Sequence, residues 1–351
     1  MDFSEGSITF DAPKGEITKK LPVFYNPVMQ FDRDLTVAVL KEFGGKSYCD
    51  ALAGSGIRGM RASKEAGIQE VYLNDLNPKA VKLIEKNLKK NDITGKVSAL
   101  EANLLLRSLE HGNLDIVDID PFGPFIPFLD SALRAVNRRN GLLCLTATDT
   151  APLCGVSAKT CMRRYDAKPL RVSFAKEIGL RILIAVCARA AAKYDFAVKP
   201  LLCYNHRHYF RLYLATDNGV DAADAMLAKV SYLQHCKACD WRGYVKISAF
   251  KEKCPDCEGK LDWAGPLWGA EFADASFCKK LKTDNKAVMK MLGIIETEQK
   301  IPTPFYDMHY LCELRKSPLV PRKRDIIASL PEATETHFAD TGIRSRTMPS
   351  F

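Results

Sequence analysis

Short apolar runs alternate with longer mixed stretches through the first two-thirds of the chain. A short strand opening Tyr48–Gly59, Val71–Asp75, a strand that with its exit loop spans Val97–Asn103, Leu114–Ile119 and Gly141–Asp149 read as five strands. Between them, Leu35, Val39 and Leu40 give 34–43 a partial apolar face that Gly44-Gly45 ends, and Lys79–Asn91 is amphipathic. A helix rich in alanine and basic residues runs to Ala66-Gly67, and Val172–Tyr194 reads as one long helix. Strand, helix and strand at this spacing predict a mostly parallel sheet with helices on both faces. Two further strands, Val198–Tyr204 and Tyr209–Ala215, are joined by Asn205-His206-Arg207-His208. That hairpin departs from an all-parallel pattern, and its histidines are expected to shape the turn.

Candidate chemistry gathers where predicted strands end. Leu114–Ile119 stops abruptly at Asp120-Pro121-Phe122-Gly123, because proline donates nothing to a sheet ladder. In open α/β sheets that carboxyl edge is where ligands bind. A carboxylate and the carbonyls beside Pro121 accept hydrogen bonds from an exocyclic amine, and Phe122 offers a flat face to a base. A bare strand followed by a turn is the bland alternative. Upstream, Gly54, Gly56 and Gly59 fit G-x-G-x-x-G, and Asp75 stands where the acid that binds a cofactor ribose belongs. A nicotinamide enzyme and an S-adenosylmethionine enzyme both use such a loop and acid. The amine-accepting motif favours the second, since hydride transfer has no task for it.

The rest of the chain adds a metal centre and a basic end. Cys236-x-x-Cys239, fourteen residues, then Cys254-x-x-Cys257 supplies four thiolates, which suit structural zinc and leave no open position for catalysis. His235 competes as a ligand, with no vacancy left for it. Lys279, Lys280, Lys282, Lys286 and Lys290 populate a helical segment, and Arg322-Lys323-Arg324 forms a basic knot. Thr334–Ala339 reads as a short helix leading through a turn to a basic end at Ile343-Arg344-Ser345-Arg346, in the manner of a winged helix. The chain has 351 residues and a net charge of +9, which favour two or three domains and a nucleic-acid partner. Twelve cysteines without a secretory leader argue for reduced thiols and metal, and no apolar run is long enough to span a membrane. An intracellular, cytoplasmic protein is expected. Pro22 and Pro27 bracket aromatic residues in an ordered loop or packed arm.

Together these stretches resemble the tRNA (guanine-26-N2)-dimethyltransferase family, especially its archaeal members. The resemblance rests on VFYNPVM (23–29), Asp32-Arg33-Asp34, DALAGSGIRGMR (50–61), NDLNP (74–78), EAN (101–103), DIDPFG (118–123), TATDTAPLCG (146–155) and the four cysteines. It implies a class I S-adenosylmethionine-dependent methyltransferase domain, Rossmann-like and mostly parallel, over 1–230. A four-cysteine, zinc-ribbon-like unit over 231–265 and a basic tRNA-binding region over 266–351 follow as an α+β C-terminal part. It further implies that Arg33, Arg58, Asp75, Glu101 and Ala102 contact S-adenosylmethionine, with Asp50, Gly54 and Gly56 in the same cofactor site. Asp120 is then the main catalytic residue, flanked by Phe122 and Phe24 on the target guanine; Tyr25, next to Phe24, is equally able to stack. Glu101 departs from the aspartate expected before Ala102. The implied partner is tRNA, and no obligate protein partner is implied.

Overall fold

The structure, a computed structural model, describes residues 2–13, 15 and 21–349. The chain forms two compact units, Met1–Thr146 with Tyr213–Asp217 and Lys280–Lys290, and Ala147–Leu212 with Asn218–Lys279 and Met291–Phe351. In chain order it begins with a hairpin, β1 (Asp2–Glu5) and β2 (Ile8–Asp11), then α1 (Gln30–Phe43). The expected alternation follows: β3 (Ser47–Asp50), α2 (Ile57–Ala66), β4 (Glu70–Asn74), α3 (Pro78–Lys90), β5 (Lys96–Ser98), α4 (Ala102–Ser108), β6 (Ile116–Ile119), α5 (Ile126–Ala135) and β7 (Leu142–Ala147). Three helices, α6 (Thr150–Leu153), α7 (Ala158–Tyr165) and α8 (Ala175–Ala192), precede the long strands β8 (Phe196–His206) and β9 (Tyr209–Asn218). After α9 (Val220–Leu227) come β10 (Val230–Cys236), β11 (Arg242–Val245) and β12 (Leu261–Trp268). The last elements are α10 (Ala275–Lys280), α11 (Lys286–Glu298), β13 (Tyr306–Asp307), α12 (Met308–Leu314), α13 (Lys323–Ser329), β14 (Thr334–Glu335) and β15 (Gly342–Arg344).

The main sheet has the order β5-β4-β3-β6-β7-β9-β8. Its β3–β4, β3–β6, β4–β5 and β6–β7 pairs are all parallel. The chain therefore runs outward from β3 in one direction and from β6 in the other. That reversal makes the crevice between their carboxyl ends the place for a ligand. The four residues of β6 are all buried, as a strand covered on both faces requires. Gly59 brings α2 against the sheet: a Cβ there would lie 2.1 Å from Leu73 Cδ2.

The N-terminal arm is a hairpin that the alternation of the sequence did not announce. Ile8 and Phe10 point into a core with Tyr25, Ile57, Met60, Leu73 and Ile84. Glu101 ends the loop that leaves β5, as expected, and its carboxylate caps α4 by accepting from Leu104 N at 3.1 Å.

In the second unit, α8 is buried over most of its circumference. It carries Glu177, which accepts from Arg181 Nε at 2.9 Å, from Phe305 N at 3.1 Å and from Arg344 at 2.6 Å. Arg344 also lies 3.4 Å from Glu298, whose carboxylate meets Thr336 Oγ1 and His337 Nδ1. Burial opposes the charge on Glu298, yet the neighbouring His337 and Arg344 hold its carboxyl below the usual range. The helix expected over Thr334–Ala339 does not form. Thr334 and Glu335 pair instead with Arg344 and Ile343, while the hydroxyl of Thr336 and the ring of His337 are drawn onto Glu298. Side-chain bonds of this kind compete with helical backbone bonds. The result is a small sheet of order β13-β15-β14.

Arg344 is fully buried between two carboxylates, so truncating it removes a cation that both share and leaves Glu177 with Arg181 and Glu298 with His337. Arg344→Met is expected to cost about 3–5 kcal/mol of stability, measured as a lower denaturation midpoint.

Candidate active site and zinc centre

The crevice predicted by topology is built around Arg58, in the first turn of α2. Its guanidinium donates to Asp32 Oδ2 at 2.6 Å, Thr36 Oγ1 at 3.0 Å and Asp120 Oδ2 at 2.5 Å. Its Nε lies 3.9 Å from Asp118 Oδ2, which also accepts from the Tyr48 hydroxyl at 2.8 Å. Asp50, at the carboxyl end of β3, is buried beside them. Desolvation first, and then the negative charges of Asp118 and Asp120 against the opposing Arg58, push its carboxyl up to about 8. One cation thus serves a group of acids too dense for all of them to ionise comfortably.

Asp120 sits just past β6 with its side chain one-quarter exposed. Arg58 holds its Oδ2, and Oδ1 has no hydrogen bond among the described residues. Nearby, the rings of Phe24 and Phe122 meet edge to face with centroids 4.6 Å apart, and Phe122 is 54% exposed. Tyr25 is different. It is buried among Phe3 and Phe10, and its hydroxyl donates to Glu5. Of the two adjacent aromatics, Phe24 is therefore the one that meets Phe122.

A cavity is lined by Phe24, Tyr25, Asn26, Arg33, Asp50, Ser55, Arg58 and Asp120, among others. Gly54 and Gly56 both adopt positive φ, and a Cβ on Gly54 would stand 2.9 Å from the Phe24 carbonyl oxygen, so this turn admits no side chain. Arg33 reaches the cavity but is clamped by Glu5, donating from Nε and Nη2 at 2.6 Å each. Glu5 lies on β1 and carried no motif; its role is visible only in space.

Asp75 and Glu101 belong to the same sheet edge, after β4 and β5, but do not line this cavity. Asp75 accepts from Gly54 N and Asn77 N, each at 2.9 Å, which fixes the carboxylate and leaves each oxygen a second lone pair. Glu101 is exposed at the start of α4, and Ala102 is buried behind it. The series Glu101, Asp75, Asp50 and Asp120, spread across four strand ends, suits an elongated nucleoside cation such as S-adenosylmethionine. The acids accept from hydroxyl and amino groups.

The second centre is the four-cysteine group. Cys236, Cys239, Cys254 and Cys257 place their Sγ atoms within 4.8 Å of one another, with Cys236–Cys257 and Cys239–Cys254 at 3.5 Å. A tetrahedral zinc with sulfur ligands at about 2.3 Å needs sulfurs about 3.8 Å apart, so the donor set fits. Each pair sits in a tight knuckle: Asp240 N donates to Cys236 O, Glu258 N donates to Cys254 O, and both Asp240 and Glu258 have positive φ. Gly259 leaves the sulfurs room, since a Cβ there would lie 3.2 Å from two of them. His235 is not a ligand; its Nε2 is 2.8 Å from Asp240 Oδ1, and Asp240 also binds Arg242.

With this geometry in place, comparison with known proteins decides the family. A family model described as N2,N2-dimethylguanosine tRNA methyltransferase matches residues 5–349. The chain belongs to that family. It is 38% identical to the tRNA (guanine(26)-N(2))-dimethyltransferase of Methanothermobacter thermautotrophicus, over 97% of this chain and 94% of that one. Identity to the Methanocaldococcus jannaschii enzyme of the same name is 40%, covering 98% and 95%. A relative from Aquifex aeolicus, 38% identical over 94% and 88%, is named for guanines 26 and 27. Among solved structures, the complex of Trm1 from Pyrococcus horikoshii with S-adenosyl-L-methionine superposes with a TM-score of 0.88 at 34% identity, covering 98% and 96%.

Two outcomes follow from this site. Folded Asp50 keeps its proton up to about pH 8, whereas the unfolded chain releases it near 3.8. The stability it contributes is complete below the lower value and is lost as pH rises through the upper one. Asp50→Asn, neutral throughout, should therefore gain on wild type in cofactor-free denaturation midpoint between about pH 5 and about pH 8.5. For the metal, purified protein should hold about one zinc per chain. Cys254→Ser should lose it and unfold at lower temperature, while the affinity for S-adenosylmethionine, read by calorimetry, stays unchanged.

Proposed function

We propose that this chain methylates the exocyclic N2 amine of guanosine 26 in tRNA, first to N2-methylguanosine and then to N2,N2-dimethylguanosine, in the cytoplasm. The observation that carries this reading is the placement of Asp120, at the switch point of the sheet and beside the Phe24–Phe122 pair, in a chain that matches the family from end to end. S-adenosylmethionine, when bound, supplies a methyl group on a sulfonium whose leaving group is a neutral thioether. Neither an acid nor a metal is needed for that departure.

The chain's own residues have the harder task. The N2 lone pair of guanine is delocalised into the ring, so the amine is a weak nucleophile. Asp120 Oδ1 accepts one N2 proton as a hydrogen bond while Arg58 fixes the carboxylate through Oδ2, and the positive charge that grows on nitrogen is met by a fixed negative one. As the nitrogen–carbon bond forms and the carbon–sulfur bond breaks, that proton passes to Asp120 and then to solvent. Phe24 and Phe122 hold a guanine that has left the tRNA stack, which desolvates it and sets its plane. Monomethylguanine keeps one N–H, so the same contacts serve the second transfer. The zinc unit and the basic region behind it bind the tRNA body. The name of the Aquifex aeolicus relative raises guanosine 27 as a second target.

The test is transfer of labelled methyl groups to an unmodified tRNA transcript, followed by nucleoside analysis. N2-methylated guanosine is expected, lost when guanosine 26 is replaced and retained when guanosine 27 is replaced; the reverse pattern would move the target. Asp120→Ala should lower the transfer rate by roughly 10²–10³-fold or more, with S-adenosylmethionine still bound. A wild-type rate in that variant would remove Asp120 from the mechanism.

A further inference from the structure

Much of the positive charge of the C-terminal third is already matched. Lys279 pairs with Glu296, Lys280 with Glu42, Lys323 with Glu335, Arg324 with Asp325 and Arg346 with Glu332. Arg344 is buried altogether. The segment 149–171, whose basic residues the sequence did not single out, has the opposite balance. Both of its acids are occupied: Asp149 by Arg164 at 3.0 Å and by the Tyr165 hydroxyl at 2.5 Å, and Asp166 by Arg189 at 2.7 Å. Lys159, Arg163 and Arg171 are exposed and meet no carboxylate among the described residues.

These three cations are held close together by the fold. Lys159, Met162 and Arg163 fall on one face of α7 by their spacing. Gly155, with φ +82°, turns the chain so tightly that a Cβ there would lie 2.7 Å from Arg171 N, so Arg171 is seated against the turn that leads into Val156 and α7. Buried Cys161 and Tyr165 anchor the other side of the helix. Two apolar side chains are left in water among the cations, Val156 at 62% and Met162 at 53% exposure. The chain enters this segment directly from β7, whose parallel register with β6 sets Leu145 against Ile119, one residue before Asp120.

We infer that Gly155–Arg171 is a docking surface for the tRNA backbone, with Lys159, Arg163 and Arg171 on phosphates and Val156 and Met162 against the intervening sugars. The inference rests on the tRNA reading above and names which charges carry it. A protein partner fits less well. Protein interfaces centre on buried aromatic anchors with charge at the rim, and this surface has no aromatic side chain exposed and is charged at its centre. Long, uncompensated cations on a short helix and against the turn before it match the chemistry of a phosphate chain.

The test compares Lys159→Ala/Arg163→Ala/Arg171→Ala with Lys79→Ala/Lys82→Ala/Lys89→Ala, which removes the same charge from α3. Binding of tRNA transcript is titrated at several salt concentrations. The first variant should lose roughly 10–100-fold in affinity near physiological salt, and its plot of log affinity against log salt should flatten by about 2–3 in slope. Its tRNA KM should rise while kcat, S-adenosylmethionine affinity and denaturation midpoint stay near wild type. The α3 variant should bind tRNA nearly as wild type does. Equal losses in the two variants, or none in the first, would overturn the assignment. Wild-type protein that binds tRNA but methylates no base removes the reaction reading and leaves this surface measurable. Wild-type protein that binds no tRNA removes both.

Discussion

The active edge depends on one guanidinium placed among four carboxylates. Arg58 binds Asp32 and Asp120 directly and faces Asp118, with Asp50 beside them, its carboxyl pushed up first by burial and then by the charges of Asp118 and Asp120. Buried acids at this density repel one another and resist desolvation, so they stay together only around a cation with several fixed donors. Arginine meets that need and lysine does not, because its planar fork addresses separate acceptors at once. The cluster ties α1 and α2 through side chains to the paired strands β3 and β6, and it presents one oxygen of Asp120 unengaged among the described residues. The same feature that holds the crevice together thus leaves a negative charge where an amine nucleophile would develop a positive one.

Away from that edge, stability is obtained by other means. The second unit is tied by Arg344 between Glu177 and Glu298, a buried network in which every charge has a partner. The small sheet β11-β10-β12 has too few residues to enclose a core of its own, and the four thiolates brought together at one end supply what packing does not. The two centres differ in purpose as well as chemistry. The sulfurs close on one another and leave no open coordination position, while the acids of the first unit stand apart along an open edge.

Sequence reading recovered the elements wherever local chemistry decided them. Strands of the parallel sheet appeared as continuous apolar runs because both faces are covered, and Asp120-Pro121 marked the end of one because proline cannot extend a ladder. Reading failed where partners are distant in the chain. The hairpin Asp2–Asp11 gains its stability from α2 and α3, and Thr334–Glu335 became a strand because Ile343 and Arg344 lie beside it. Arg344 read as one member of a basic end; in the fold it is fully buried, as Arg211 is.

The residue types and spacings by themselves determined the fold class, the family, the zinc ligands and the identity of the candidate catalytic acid. Each of these is written locally, in a turn, a pair of cysteines or the last residue of a strand. Tertiary structure alone decided that Phe24 and not Tyr25 meets Phe122, that Glu5 holds Arg33, and that Asp50 keeps its proton. It also decided which basic residues remain unmatched by acids. Charge compensation and burial depend on distances between residues far apart in the chain, and a sequence records only the order in which those residues come.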